Sequence, residues 1–309
     1  MITSVFKKST PLNFSLVVFL ILVFFFIFQI RDLAWTNSLI LIFEKVGLLS
    51  ILLASAFITN FISKKNGLSK DSSYIILFYL LFLLFFPTVL DNTNLLLANF
   101  FLLLAFRRLI SLQSLKASKE KIFDASLWIF VASLFHFWSI IYIVLVFISI
   151  IFHVARDYRN WILPFIALIA VGTIFAFITI IFDINGIEYI SRSVKTNFEI
   201  NYFTNNYQNG ALSIYATVAL FFVISMFSTL SNRPLVLHTS YKKVIASFFI
   251  GVLIFLVSSN KSNDLLVFTI APLAMLATSH IEMPQVKLKQ EMVLAVLILC
   301  SLFAFFSQL

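Results

Sequence analysis

The sequence has few charged residues, few glycines and prolines, and a single cysteine. Charged residues make up 11% of the 309 residues and hydrophobic ones 61%, whereas soluble domains are about a quarter charged. This composition excludes an ordinary soluble domain. The lone Cys300 excludes an internal disulfide. With no GxxxG motif, the helices must pack mainly through aromatic and branched side chains.

Common motifs of soluble enzymes are absent as well. There is no glycine-rich phosphate loop and no Ser-His-Asp arrangement. The four histidines lie far apart in the sequence, so we expect neither a metal nor a cofactor. Apolar segments contain no run of acidic residues that would mark a proton or sodium path, which disfavours a transporter.

Long apolar runs fill most of the chain. Runs of roughly 17 to 22 residues can each cross the ~30 Å hydrocarbon core as a helix. They predict an all-α polytopic membrane protein, with one membrane domain over residues 1–309 and about eleven transmembrane helices. The expected spans are 13–30, 46–63, 73–87, 93–106, two within 122–154, 161–182, 211–230, 244–259, 265–279 and 292–308.

Two segments need separate interpretation. The apolar stretch 122–154 is too long for one crossing, so we divide it at residues 136–138 into two spans joined by a tight turn. Residues 33–45 have an amphipathic pattern and are predicted to lie on the outer membrane surface before the second span.

The basic residues predict the orientation. Only Arg31, Lys45, Arg192, Lys195 and Lys261 fall on the side opposite the N-terminus. The other 17 of the 22 lysines and arginines share one side: Lys7, Lys8, Lys64, Lys65, Lys70, Arg107, Arg108, Lys116, Lys119, Lys121, Arg156, Arg159, Arg233, Lys242, Lys243, Lys287 and Lys289. The positive-inside rule then places the N-terminus in the cytoplasm and the C-terminus outside, in a bacterial inner membrane. The net charge of +9 therefore reflects topology and lipid contact, and we expect no nucleic-acid partner.

The main extracytoplasmic loop is residues 183–210, the longest polar segment. Ile187, Ile190 and Val194 recur at helical spacing with charged residues on another face, which predicts a short amphipathic outer helix on the membrane. Arg192 and Lys195 can hold a phosphate or diphosphate. The alternative, which the pattern favours, is that they neutralise the neighbouring Glu188 and Glu199. Tyr202 and Tyr207, set among amides, suit sugar faces or an interfacial aromatic belt.

Two outer carboxylates are candidate general bases. Asp32 directly follows the first span, where a base near the membrane surface can accept a proton from a hydroxyl. Because Arg31 is adjacent, an ordinary charged helix end is the favoured alternative. Asp91, in a short outer loop, is the rival candidate. Glu44 and Lys45 are expected to pair at the membrane edge.

Two further outer residues are candidate ligand contacts. Lys261 lies in a short turn and can reach a headgroup phosphate, although a pair with Asp264 explains it equally well. His136, at the predicted turn, can donate to a ligand, with helix capping as the favoured alternative.

The segments ANFFLLLAFRRLISL, KIFDASLWIFVASLFHFWSIIYIVLVFISIIFHVARDYRNW and NKSNDLLVFTIAPLAML resemble an uncharacterised family of inner-membrane proteins from Flavobacterium and related Bacteroidota. More remotely, the layout resembles GT-C glycosyltransferases and exopolysaccharide polymerase-like proteins. Three features carry that resemblance: an acid after the first span (Asp32), a tight pair of spans around His136, and a basic turn before a proline-containing span (Lys261 and Pro272).

The GT-C resemblance implies sugar transfer from a polyprenyl-phosphate donor at the outer face of the inner membrane. It implies that Asp32 deprotonates the acceptor hydroxyl and that Arg192, Lys195 and Lys261 hold the donor phosphate. The alternative function is a non-enzymatic membrane scaffold of an envelope assembly for secretion or lipid handling, with a membrane-protein partner. A transporter comes third.

Overall fold

A computed structural model describes residues 2–198, 205–259 and 261–309. The described part of the chain is helical and contains no β-strand, so the all-α prediction is confirmed. The α-helices are α1 (Ile2–Phe6), α2 (Pro11–Gln29), α3 (Leu39–Lys65), α4 (Tyr74–Leu83), α5 (Thr93–Ile110), α6 (Ser118–Phe135), α7 (Ile143–His153), α8 (Arg159–Ile181), α9 (Gly186–Ser193), α10 (Asn206–Thr229), α11 (Leu235–Val257), α12 (Val267–Ile281) and α13 (Lys287–Ser307). Short 3-10 helices occupy Leu33–Asn37, Pro87–Asp91, Ser111–Ser114, Phe137–Tyr142, Leu230–Asn232 and Asn263–Leu266.

Eight helical segments in the described residues are long and apolar enough to cross a membrane. They comprise α2, α3, α5, α8, α10, α11, α12 and α13, some with their adjoining 3-10 turns. Such segments indicate a multi-pass protein in a lipid bilayer. The larger count of about eleven also needs crossings by α4, α6 and α7, which are shorter or more charged, and it stays a prediction.

Side chains fix where several helices begin. The Thr10 hydroxyl accepts a hydrogen bond from the Asn13 N–H, and Pro11 occupies the first turn of α2, where its missing N–H costs nothing. The Asn92 side chain likewise accepts from the Leu95 N–H and caps α5. These caps fix the residues at which α2 and α5 begin.

Helices α4 and α12 form the centre of the bundle. Every residue of α4 is buried, and so is 89% of the α12 segment. By contrast, only 17% of α8 is buried, and its side chains Phe177 and Ile180 are 62% and 76% exposed. Lipid is as apolar as these side chains, so their exposure is favourable in a bilayer. Helix α8 therefore lies at the periphery and α4 at the core.

The loops and helix ends meet in two groups at opposite ends of the bundle. At one end, which we call the Asp91 end, Asp91 accepts hydrogen bonds from Gln29 and Lys45, each at 2.6 Å. At the other, the Arg108 end, Arg108 pairs with Asp124 at 2.8 Å. The five basic residues predicted to lie outside belong to segments at the Asp91 end.

Several predicted boundaries differ from the observed ones. The expected break is found, because α6 ends at Phe135 and a 3-10 helix begins at Phe137. Residues 39–45, however, continue α3 instead of lying apart on the surface. Lys45 consequently pairs with Asp91 and not with Glu44, which accepts a hydrogen bond from Thr93 at 3.1 Å.

The ninth predicted span also begins earlier than expected. Helix α11 starts at Leu235, so Lys242 and Lys243 lie within it and not in a loop. The short amphipathic helix is confirmed as α9, although it ends at Ser193, and its place on the outer membrane surface stays a prediction.

Candidate functional site

A polar cavity of about 540 Å³ lies at the Asp91 end, and we call it the Arg192 cavity. Arg192, Lys261 and His136, all predicted to contact a ligand, line it together. They come from α9, from the segment after α11 and from the residue after α6. Three separate parts of the sequence thus place two cations and an imidazole around one volume.

A hydrogen bond from Tyr189 joins α9 to α6 beside this cavity. The Tyr189 hydroxyl donates to the Leu134 carbonyl on α6 at 2.6 Å. The α9 side chain Arg192 forms an ion pair with Glu188 four residues earlier. This pair is the first of the two that the neutralising alternative predicts; Glu199, the expected partner of Lys195, lies outside the described residues. Because the side chains are 73% and 50% exposed, the pair contributes only about 0.5 kcal/mol, and a ligand anion can compete for the guanidinium.

Lys261 is held by main-chain oxygens. Its Nζ donates to the carbonyls of Asn197 and, at 3.3 Å, Ser258. The expected pair with Asp264 is not formed, because Asp264 accepts a hydrogen bond from the Thr88 hydroxyl instead. Carbonyl dipoles orient an ammonium without neutralising its charge. Lys261 therefore brings a positive charge to the cavity wall.

His136 is a neutral hydrogen-bonding group in this cavity. Its Nε2 lies 3.2 Å from Ser258 Oγ, which itself donates to the Ile254 carbonyl at 2.8 Å. A hydroxyl has one proton, so His136 Nε2 donates to Ser258 and its Nδ1 remains an acceptor. Burial lowers the pKa of His136 to about 4, so the imidazole is uncharged at neutral pH. His136 is the C-cap residue of α6, where its backbone N–H bonds the Ala132 carbonyl, but its side chain makes no capping bond to the following 3-10 helix.

The lowered pKa of His136 predicts a loss of stability in acid. The unfolded imidazole takes up a proton near pH 6.5 but the folded one only near pH 4. Its contribution to stability is therefore complete above the unfolded pKa and is lost as pH falls towards the folded one. From pH 7 to 4, we expect the thermal unfolding temperature in detergent to fall more for wild type than for His136→Gln. The shift in the His136 pKa corresponds to at most about 3 kcal/mol in the free energy of unfolding. An equal fall in unfolding temperature for both proteins would contradict the lowered pKa of His136 in the folded protein.

A second cavity, of about 400 Å³, adjoins the first, because Asn92 and Asn94 line both. Two carboxylates, Asp91 and Asp264, line this second cavity. The 2.6 Å ion pair with Lys45 fixes the position of Asp91, whose side chain stays 48% exposed. An acid therefore lies beside a cation-lined cavity, within one polar region.

The remaining predicted residues lie elsewhere. Asp32 is exposed and lines neither cavity. Lys195 contributes its carbonyl, which accepts a hydrogen bond from Trp138 Nε1 at 3.4 Å, whereas its side chain does not line the cavity. Tyr207 is 59% exposed at the start of α10. Tyr202 lies outside the described residues.

Sequence reasoning missed several residues of the wall. Asn92 and Asn94 were not predicted, although both follow Asp91 within three residues and line the cavity. Trp138 and Ser258 carried no signal in the sequence, because only the tertiary fold brings them to the cavity. The cavity therefore combines amides, hydroxyls and aromatic faces with two cations, a mixture that binds polar ligands carrying negative charge.

Comparison with known protein families gives a match over the whole chain. A family model described as "Family of unknown function (DUF6427)" matches residues 1–309. No curated protein and no solved structure matches the chain. The expectation of an uncharacterised family is thus confirmed over the whole chain, whereas the Bacteroidota source and the GT-C resemblance stay predictions.

Proposed function

Since the chain belongs to DUF6427, a family of unknown function, we propose a function from its geometry: transfer of a sugar from a polyprenyl-phosphate donor bound in the Arg192 cavity. The reaction is of the GT-C glycosyltransferase or polysaccharide-assembly type. The observation that carries the proposal is the contact of a cation-lined cavity with a carboxylate-lined one through Asn92 and Asn94.

The donor phosphate is assigned to Arg192 and Lys261. A guanidinium offers a planar fork of donors and an ammonium a point charge, and both suit phosphate oxygens. The sugar then lies towards Asn92 and Asn94, whose amides can bond its hydroxyls, and against the aromatic faces of Trp138 and Tyr189. These groups bind a ligand that is both anionic and rich in hydroxyls.

The polyprenyl chain is assigned to the apolar surface beside α9. Phe182 and Ile187, on either side of the α8–α9 turn, are 70% and 84% exposed. Apolar side chains at the membrane edge can contact a lipid tail while the phosphate enters the polar cavity. The Arg108 end, with 17 of the 22 basic residues, is assigned to the cytoplasm, and the Arg192 cavity to the outer face of the inner membrane.

The transfer step needs a base for the acceptor hydroxyl. The carboxylate takes the hydroxyl proton as the acceptor oxygen bonds to the anomeric carbon. The bond from that carbon to the phosphate oxygen breaks, and polyprenyl phosphate leaves with the electron pair. Asp91 is the better placed of the two sequence candidates, because it lines the adjoining cavity and Asp32 does not.

Complementation of a deletion strain tests the donor site. Wild type and Lys195→Gln, whose side chain is outside the cavity, are expected to restore an envelope glycan that the deletion strain lacks. The double variant Arg192→Gln with Lys261→Gln is expected to restore less than about a tenth, because it removes both charged phosphate contacts. Glycan profiling of envelope proteins and polysaccharides gives the readout, with immunoblots to match protein amounts in the membrane.

An unchanged glycan profile in the deletion strain would reject sugar transfer for those glycans. Pull-downs from solubilised membranes would then test the scaffold alternative. Full restoration by the double variant would instead reject the Arg192 cavity as the donor site.

A further inference from the structure

Positive charge collects at the Arg108 end, where α3, α5 and α6 meet. We call Phe61, Lys65, Arg107 and Lys121 the Phe61 patch. Lys65 lies in the last turn of α3 and Arg107 in the last turn of α5, whereas Lys121 lies near the start of α6. Helix α5 packs against both other helices. The proposed sugar transfer takes place at the opposite end of the bundle and uses none of these residues.

Two of the patch cations share one aromatic ring. Lys65 Nζ lies 5.1 Å and the Arg107 guanidinium carbon 4.8 Å from the centre of the Phe61 ring, so the two charged groups are less than about 10 Å apart. The face of a ring attracts a cation but does not remove its charge. Phe61 therefore holds two like charges close together, and an anion between them would be stabilising.

Lys121 adds a third positive charge. Its Nζ donates to the Ser111 carbonyl at 2.8 Å and to the Ser114 hydroxyl at 2.7 Å. These bonds leave one of the three ammonium donors for a ligand, and neither partner carries a negative charge. Burial, and after it the positive charges of Arg108 and Lys65, lower the pKa of Lys121. Like charges are therefore crowded around Lys121.

Neighbouring carboxylates do not neutralise the patch. Asp124, three residues after Lys121, pairs with Arg108 at 2.8 Å. Glu120, which precedes Lys121, lines a separate cavity beside the α7–α8 turn. Among the described residues, no carboxylate forms an ion pair with any of the three patch cations. Their charge is available to a ligand.

The patch borders the exposed side of α3. Phe61 is 40% exposed, and Phe57, one turn earlier on the same face, is 45% exposed. Because α3 is one of the eight helices suited to cross the membrane, these rings contact acyl chains while Lys65 at the helix end reaches the headgroups. A ligand at the patch meets hydrocarbon and positive charge together, which suits a membrane lipid.

We propose that the Phe61 patch is a binding site for a membrane lipid with two phosphates, such as cardiolipin. One phosphate contacts Lys65 and Arg107, and the second contacts Lys121. The acyl chains lie along Phe57 and Phe61. A lipid with one phosphate satisfies only part of the patch, because the three cations come from three different helices. Basic pockets between membrane helices suit such headgroups.

Native mass spectrometry of the full-length protein in detergent tests the proposal, with cardiolipin and phosphatidylglycerol as the probes. The second phosphate adds a charge-assisted contact, so we expect cardiolipin to bind about tenfold more tightly than phosphatidylglycerol. The double variant Lys65→Gln with Arg107→Gln is expected to weaken cardiolipin binding about thirtyfold. Lys287→Gln with Lys289→Gln removes the same charge from exposed positions on α13 and should bind cardiolipin like wild type.

Lys121→Gln tests the second phosphate by itself. This variant loses only the contact to that phosphate, so cardiolipin should bind about tenfold more weakly while phosphatidylglycerol binds as to wild type. Unchanged binding of phosphatidylglycerol also shows that the variant is folded.

Three results would overturn the proposal. Equal binding of the two lipids to wild type would exclude a site for two phosphates, and so would a full preference for cardiolipin in Lys121→Gln. Equal losses in the two double variants would show that binding follows the total charge at this end of the bundle and not the Phe61 patch.

Discussion

Gly251→Ala is expected to destabilise the bundle by about 1–3 kcal/mol, the range for an overpacked core. A Cβ at Gly251 on α11 would lie 2.7 Å from the Thr269 side chain and 3.1 Å from the main-chain carbon and oxygen of Phe268. The main chain of α12 cannot move without its helix, and Thr269 is bonded to the Tyr215 hydroxyl at 2.6 Å. The two helices therefore have to separate. Because α11 leads directly to Ser258 and Lys261, the separation would also displace the wall of the Arg192 cavity.

Gly172→Ala is the matched control for this substitution. Gly172 lies on the exposed side of α8, and a Cβ there would meet nothing within 4 Å. In a helix, alanine is preferred over glycine by about 1 kcal/mol, so this variant should unfold at the wild-type temperature or above it. Thermal unfolding in one detergent compares the three proteins. Unfolding of Gly251→Ala at or above the wild-type temperature would contradict the close approach of α11 and α12.

Local sequence patterns predicted the helices well. Apolar run length determines whether a helix can cross a bilayer, and the break at His136 followed because residues 122–154 exceed one crossing. The start of α11 was predicted too late, because the adjacent charges of Lys242 and Lys243 are typical of a loop. Lys243 is helical and buried, and its Nζ donates to the Leu109 carbonyl on α5, a contact distant in sequence.

The candidate site was predicted in part. Arg192 and Lys261 stood out because few basic residues lie on that side of the bundle, and the fold places both on one cavity. The neighbouring sequence does not distinguish Asp32 from Asp91 as the base, because both are single acids in short segments that are predicted to lie outside. It depends on tertiary contacts: Lys45 and Gln29 hold Asp91 beside the cavity.

Asp91→Asn is expected to lower the rate of sugar transfer by about 10²- to 10⁴-fold, the usual contribution of a general base. The amide has the shape of the carboxylate but cannot take up the acceptor proton. The measurement is the rate at which the envelope glycan reappears in the complemented deletion strain, at matched protein amounts. Asp32→Asn, altered at an acid that lines neither cavity, should restore the glycan at close to the wild-type rate.

Lys45→Met separates a base from a structural ion pair at Asp91. The pair is partly exposed, with Lys45 at 20% and Asp91 at 48%, so its loss should cost no more than about 1 kcal/mol. Lys45→Met removes the pair but keeps the Asp91 carboxylate. We therefore expect near wild-type transfer for Lys45→Met and severe loss for Asp91→Asn. Equal loss in both variants would make Asp91 a structural residue, whereas loss in Asp32→Asn alone would move the base to Asp32, because only the true proton acceptor is needed as a carboxylate.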